Sequence, residues 1–473
     1  MYRNYFFSLL LNIFKIAAPI FVIPYVYREI SPYDMGIVNL TITVMTYFYI
    51  FGDLGVYIYG FREVSLHKDD KAYINKLFTE LFVFRSIFNT IVTSLYFLYV
   101  YKFSETVIPF HFYVIASIQL LSTFFSVEWM FEGNSKFKFV SIKTIIIRTI
   151  FLLLTFILVR GESASEFYLF TLTGFLLANN LVSFVYLQRF VVWDFKNLNL
   201  IKHWPSLFMI FIMINWSMLY FQTDKNILGI KGNIIGVGYY SMCEKILLLS
   251  SSVVFSLITI STPKLGTSLM VGIGNYKSML TRVFHVFFII SFSISSYVYV
   301  SSREIVLLLG GENYQGAITT MRLFSFFIVL YLFMEIVKTN VFLLLKKENI
   351  FFFVVLFIGG SGVITKLVFL PTLVTVNDIV MLTLLLVSIV LIILFCYMYY
   401  KLQIKIFQIQ FIYIFLSAIV FIVASSFINI DNLLFSLIIK LLLLLFVLFV
   451  VLFLFKDKIL FGLISKIYKL KNN

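Results

Sequence analysis

The feature that most constrains this chain is a succession of about fourteen apolar runs of about 20 residues each, separated by short polar stretches. Hydrocarbon cannot satisfy backbone N–H and C=O groups, so each run must close its own hydrogen bonds as a helix. The runs fall near 5–27, 36–60, 77–101, 107–131, 139–160, 166–188, 205–229, 236–261, 282–302, 316–343, 350–371, 377–400, 409–430 and 433–455. They predict an all-α polytopic membrane protein. Composition agrees: 61% of the 473 residues are hydrophobic and 12% are charged, against about 25% charged in a soluble domain.

The net charge of +15 would point to nucleic acid in a soluble protein. Here the cations lie between apolar runs, where cytoplasmic loops and anionic lipid headgroups account for them, so no nucleic-acid partner is expected. Their placement alternates. One set of loops holds Arg62, Lys68, Lys71, Lys76; Lys136, Lys138, Lys143; Arg189, Lys196, Lys202; Lys264, Lys277, Arg282; Lys338, Lys346, Lys347; and Lys401 and Lys405. The intervening loops hold only Arg28, Lys102, Arg160, Lys231, Arg303 and Lys366. This positive-inside pattern predicts a cytoplasmic (inner) membrane protein with both termini cytoplasmic. Lys15 in the first run, with no small-residue cleavage site, marks an uncleaved span. Cys243 and Cys396 lie far apart in apolar runs, which argues against a disulfide framework or thiolate metal site.

The longest loops, near 61–76, 189–204 and 262–281, leave room for short surface helices, and the tail around Ile459–Ile467 reads as an interfacial amphipathic helix. A faint internal echo links the first two runs to the seventh and eighth. Arg28-Glu29-Ile30-Ser31 followed by Gly36-Ile37-Val38 is answered by Asp224-Lys225 with Leu228-Gly229 and then Gly236-Val237-Gly238. Repeated halves are common in secondary transporters. The expected organisation is a six-helix lobe over 1–204, a second over 205–408, and an extra helix pair with a basic tail over 409–473, the lobes flanking a central cavity.

Ionisable groups at mid-membrane cost about 2.5–3.5 kcal/mol each and normally face protein or water. Several fall on polar stripes at helical spacing: Thr46, Tyr49, Asp53 and Tyr57; Arg85, Asn89, Thr93 and Tyr96; Ser141, Thr144 and Arg148; Trp216, Tyr220 and Thr223 beside Asp224 and Lys225; Ser241, Lys245, Ser252, Ser256 and Thr259. One reading is an anion-accepting cavity in which Arg85, Arg148, Lys225, Lys245 and Arg322 supply charge. Arginine suits phosphate because its planar fork donates two bonds to one group. The carboxylates Asp53, Glu128, Asp224, Glu244 and Glu335 would neutralise these cations or bind a coupling H+ or Na+. The competing reading is helix-to-helix ion pairing, or snorkelling near span ends.

No G-x-x-x-x-G-K-[ST] loop and no G-x-S-x-G elbow occur, and His67, His111, His203 and His285 lack metal-ligand spacing. No cofactor is called for. No outer loop is large enough for a membrane glycosyltransferase or polymerase, which leaves a transporter rather than an enzyme.

Motif order along the chain resembles the bacterial O-antigen and polysaccharide repeat-unit flippase family of the multidrug/oligosaccharidyl-lipid/polysaccharide exporter superfamily. The resemblance rests on Pro19 and Pro24 with Tyr27-Arg28-Glu29-Ile30, Gly36, Gly52-Asp53-Leu54-Gly55, Tyr59-Gly60-Phe61-Arg62-Glu63 and Arg85. It continues through Thr223-Asp224-Lys225, Leu228-Gly229, Gly238-Tyr239-Tyr240-Ser241, Lys245, Pro263 and Leu308-Leu309-Gly310-Gly311-Glu312-Asn313-Tyr314. Ser31 departs from it, standing where the family often has glycine. The resemblance implies alternating-access transport of an undecaprenyl-diphosphate-linked oligosaccharide. It places Arg28 at the end of the first span facing the cavity, and Arg62 at the cytoplasmic mouth. A polysaccharide polymerase and a chain-length regulator are the further partners such a role implies. The rivals are a peptidoglycan-precursor flippase, a multidrug antiporter and, from another class, a membrane glycan polymerase.

Overall fold

The computed structural model describes residue 14 and residues 18–103, 108–215, 218–369, 375–406, 409–428 and 430–457. Helix α1 covers 18–29 of these residues. There follow α2 (Pro32–Asp53), α3 (Val56–Leu66), α4 (Lys71–Phe103), α5 (Phe110–Phe124), α6 (Glu128–Gly133), α7 (Phe137–Leu158), α8 (Ala164–Leu187), α9 (Trp204–Ile214) and α10 (Met218–Ile230). Beyond these lie α11 (Ile234–Val271), α12 (Ile273–Val300), α13 (Ser302–Gly310), α14 (Ala317–Val337), α15 (Glu348–Val368), α16 (Val376–Tyr400), α17 (Ile409–Ser425) and α18 (Leu433–Leu454). Among the described residues there is no strand.

Eleven helical stretches among the described residues are long and apolar enough to cross a membrane, and Phe411–Ser425 is a shorter apolar helix. The two other expected spans correspond to α1, which covers the described part of the run 5–27, and to the broken pair α9 and α10. The all-α polytopic class and the span positions read from the sequence therefore stand.

Several spans are not continuous rods. The expected run 36–60 breaks at Leu54 (φ 45°) and Gly55 (φ 74°), both left-handed. Glycine adopts that conformation without the steric penalty of a side chain. A Cβ on Gly55 would also come to 3.0 Å from Ile210 and 3.2 Å from the Phe211 amide nitrogen. The run 107–131 breaks at Phe125–Val127 between α5 and α6, and 205–229 breaks at Asn215. The expected loop 262–281 is instead helical on both sides of Gly272, with Pro263 inside α11. The 189–204 stretch carries only a single 3-10 turn at Ile201–His203. The tail helix expected around Ile459–Ile467 lies outside the described residues.

End signals follow local chemistry. Ser31 caps α2 by accepting from the Asp34 amide at 3.1 Å, with Pro32 in the first turn. Thr375 and Asp378 form a reciprocal capping box on α16. Asn432 caps α18 through the Phe435 amide at 3.1 Å. A π-turn at Lys338–Leu343 ends the α14 span. It presents Asn340 to Ser261 (2.9 Å) and Thr262 (2.6 Å) on α11, while Tyr276 of α12 donates to the Asn340 carbonyl at 2.7 Å. Such widened turns recur at functional hinges.

The chain divides into two compact units, Met1–Gly238 and Tyr239–Asn473. The core of the first includes a cluster of Val64, Phe78, Leu81, Trp129, Met130 and Phe131. In the second, Phe421, Leu444 and Val447 join α17 to α18.

Candidate functional site

In the first unit the expected stripe Arg85, Asn89, Thr93 and Tyr96 lies on α4 and is turned toward α5. Tyr96 donates to the Tyr113 carbonyl at 2.7 Å, and Asn89 donates to the Leu120 carbonyl at 3.1 Å. Arg85 donates through one terminal nitrogen to the Thr123 carbonyl at 3.1 Å and to the Ser126 carbonyl. The break after α5 explains this geometry. The Thr123 carbonyl, which also accepts from the Ser126 amide at 3.2 Å, lies in the last turn of α5 at the negative end of its dipole, where a cation is favoured. Arg85 is buried, and neither its Nε nor the Thr93 hydroxyl has a hydrogen-bond partner.

Asp53 ends α2 and accepts from the Gly55 amide, within electrostatic reach of Arg85. No direct ion pair joins the two among the described residues. Tyr49, one turn earlier, lies in the field of both. The helix break removes Tyr57 from the expected stripe with Tyr49 and Asp53: it belongs to α3 and donates to Glu132 at 2.6 Å.

A second charged group links α6, α7 and α8. Glu128 pairs with Lys143, and the Lys143 ammonium also donates to Ser183 Oγ at 2.7 Å and to the Asn179 carbonyl at 3.0 Å. Asn179 donates to Glu128 at 2.8 Å and accepts from Thr144 at 3.1 Å. Glu128 Oε1 thus accepts from both Lys143 and Asn179. Sequence alone had placed Lys143 among the loop cations; it lies on the second turn of α7 and is buried.

Arg148 is half-buried one turn beyond Thr144, its guanidinium 5.2 Å from the Phe175 ring centre, and one terminal nitrogen has no partner. Arg28, at the end of α1, is exposed. Arg62 is exposed on α3, paired with Glu63 at 3.0 Å and 5.4 Å from the Tyr59 ring centre. Asp224 and Lys225 are both buried on α10. Trp216 of their expected stripe lies outside the described residues.

In the second unit Glu244 is buried and Lys245 half-buried on α11. Glu244 and Glu335 both act on Tyr331 of α14. Glu335 also pairs with Lys338 at 2.8 Å. Arg322 is exposed and donates to Ser302 at 3.2 Å. A cavity of about 800 Å³ lies among α12, α14, α16 and α17, lined mainly by aromatic and aliphatic side chains such as Phe292, Phe333, Phe395 and Phe411. Its lining includes the hydroxyls of Ser295, Ser296, Tyr299, Ser325 and Ser388 but no charged side chain.

Three buried charged groups were not legible in the sequence. Lys440 of α18 pairs with Glu304 of α13 at 2.5 Å, and Ser436 donates to the same carboxylate at 3.0 Å. Asp457 lies 2.8 Å from His285 and accepts from Tyr413. In the first unit Glu80 of α4 binds Lys202 at 2.6 Å, His203 at 3.0 Å and the Asn199 amide at 3.0 Å, and His203 also meets Tyr59 at 2.8 Å. Burial holds the His203 imidazole below its ordinary pKa, against the pull of Glu80. The signal available in sequence was a charged residue in or beside an apolar run, but no periodicity names its partner.

This helical arrangement is shared with solved transporters. The structure described as "Lipid II flippase MurJ, inward closed conformation" matches with a TM-score of 0.70 and 14% identity, over 97% of this chain and 100% of that one. A multidrug resistance MATE family transporter of the MOP superfamily, in an inward-facing conformation, matches at 0.58 and 13% identity, over 80% of this chain and 92% of that one. At these identities the likeness is one of fold. Residues 1–266 match the family described as "Polysaccharide biosynthesis protein", and the chain belongs to that family. No curated protein matches the sequence.

Proposed function

We propose that this protein is a flippase that carries an undecaprenyl-diphosphate-linked oligosaccharide, an O-antigen or capsule repeat unit, across the cytoplasmic membrane by alternating access. The observation that carries the reading is membership of the polysaccharide biosynthesis family on a transporter fold, in a chain whose spans hold more arginine and lysine than a bilayer tolerates without purpose. The lobes over 1–204 and 205–408, the extra pair over 409–473 and the cytoplasmic termini belong to this proposal.

A sugar chain and diphosphate cannot cross hydrocarbon unaided, because each unpaired polar group costs several kcal/mol. A wet cationic cavity replaces their hydration while the lipid tail stays in the bilayer. With the cell interior negative, outward movement of an anion is favoured by about 2.3 kcal/mol per charge per 100 mV. Arg28, Arg85 and Arg148 contact the diphosphate in this proposal, with Lys225, Lys245, Arg322 and Arg62 completing the cationic path. The partner-free nitrogen of Arg148 and the exposure of Arg28 support those two most directly. Asp53, Glu128, Asp224, Glu244 and Glu335 are the candidates for H+ or Na+ coupling in this proposal; Glu128 and Glu335 are each paired with a lysine, Lys143 and Lys338. No catalytic step is required of the protein.

The test replaces Arg28, Arg85 and Arg148 singly by alanine and measures surface-glycan display at equal protein level. Display should fall in each variant, and undiminished display would reject the contact. A peptidoglycan-precursor flippase is the second reading, favoured by the full-length likeness to the lipid II flippase fold. Rescue of cells lacking their own lipid II flippase, with no effect on surface glycan, would select it.

A further inference from the structure

Helices α2 and α11 meet at their first turns with almost no side chain between them. A Cβ built on Gly36 would lie 2.0 Å from the carbonyl oxygen of Ile234, and one built on Gly238 would lie 2.2 Å from the carbonyl oxygen of Pro32. The contact is reciprocal in position as well as in kind. Ser31 caps α2, and Asn233 caps α11 by accepting from the Gly236 amide at 2.9 Å. In both helices the glycine is the fifth residue after the cap, and it touches the carbonyl of the first residue after the other cap. The crossing is thus two-fold-like in cap register, which sets Gly36 against Gly238, two residues beyond the Gly236 that the sequence echo pairs with it.

Only glycine allows this approach, because the obstacle on each side is backbone that cannot rotate away. At such distances the glycine Cα–H groups are placed to contact the carbonyl oxygens, individually weak interactions that recur where helices cross closely. Next to the crossing the seal continues from α2 to α10. Gly229 faces the Leu40 side chain, Thr43 donates to Gln222 at 3.0 Å, and Tyr47 lies 3.4 Å from Thr223. Tyr33, on the other side of the crossing, is exposed.

We infer that the Gly36–Gly238 crossing is the outer gate of the transport path, closed in this structure and opened when the two backbones part. The placement on the outer side rests on the topology in the functional reading, but the gate does not depend on what the cargo is. Separating a contact built of backbone and weak C–H interactions requires breaking few strong bonds, which suits an element that must open in every cycle. Side-chain contact at Gly229 is of another kind, since Leu40 can change rotamer.

The experiment uses the full chain with Cys243→Ala and Cys396→Ala, in right-side-out vesicles, probed with a membrane-impermeant methanethiosulfonate. With both glycines intact, a cysteine at Tyr33→Cys should label at least about tenfold faster than one at Tyr47→Cys, as expected when the open state is a minor population. Gly36→Ala and Gly238→Ala should each speed labelling at Tyr47→Cys by about tenfold or more, while Gly229→Ala should leave it within about twofold. The inference falls if Tyr47→Cys labels as fast as Tyr33→Cys, or if Tyr33→Cys is reached only from the inner side. It also falls if folded Gly36→Ala and Gly238→Ala proteins leave Tyr47→Cys as protected as before. The first comparison needs no glycine variant, so misfolding of those variants would not spare it. Labelling is read without substrate, so a wrong cargo would show in glycan display and a wrong gate here.

Discussion

Replacing Glu128 by leucine should destabilise the first unit strongly, and replacing Lys143 by methionine in the same chain should restore most of the loss. The Lys143 side chain is 5% exposed and that of Glu128 17% exposed. Without the carboxylate, the ammonium keeps Ser183 Oγ and the Asn179 carbonyl, which satisfy hydrogen bonds but not charge. Removing one partner of a buried ion pair costs about 3–5 kcal/mol, whereas replacing the whole pair by apolar groups of similar size is often neutral. The unit spans Met1–Gly238, and for domains near that size each kcal/mol moves Tm by about 2–4 °C. Glu128→Leu should therefore lower Tm by roughly 6–20 °C. The double variant should recover to within about 5 °C of the parent, the difference being the coupling between two contacting residues. Thermal unfolding in lipid nanodiscs reads the stability, and surface-glycan display reads transport. A double variant no more stable than Glu128→Leu would refute the coupling argument. A stable double variant unable to support display would refute a purely structural role and keep Glu128 among the coupling carboxylates.

Removing Lys440 by Lys440→Met strands Glu304 and should loosen α18 from the second unit, with a loss of about 3 kcal/mol read by thermal unfolding; Glu304→Gln in the same chain should recover most of it. Arg148→Lys should retain a fraction of the display lost in Arg148→Ala, since lysine keeps the charge but not the two-bond fork; equal loss in both would assign the requirement to the planar guanidinium. His203, facing Glu80, Tyr59, Lys202 and Glu63, supplies a pH test. Its folded pKa lies below 6.5, so between those two values the unfolded chain binds more protons. Stability from this group is complete above pH 6.5 and declines as pH falls toward the folded pKa. His203→Gln should flatten the fall in unfolding temperature between pH 7.5 and pH 5.5, and an unchanged slope would exclude His203 as its source.

Span positions were readable because hydrophobicity is a local property. The ends of α16 and α18 fall within a few residues of their expected limits, since Thr375 with Asp378 and Asn432 are start signals written into the chain. The breaks at Leu54–Gly55 and Phe125–Val127 were not readable, because the residues around them are apolar enough to pass for continuous helix. They matter to the site. The first separates Asp53 from Tyr57, and the second turns the Thr123 and Ser126 carbonyls toward Arg85. Arg85 shows the limit of the stripe argument. Helical spacing correctly grouped it with Asn89 and Tyr96, yet the shared face is turned toward α5.

By itself the sequence determined that this chain lives in a bilayer as a bundle of helices carrying an excess of positive charge, because each helix must satisfy its backbone from within and each span reports its own apolarity. Tertiary structure alone decided which charges are consumed by partners, as with Lys143 and Lys440, and where two helices touch through bare backbone, as at Gly36 and Gly238. Those outcomes depend on the approach of segments separated in sequence, by 15 residues for Lys143 and Glu128 and by 136 for Lys440 and Glu304. Residue type sets what such a contact would cost, but only the packed chain brings the two sides together.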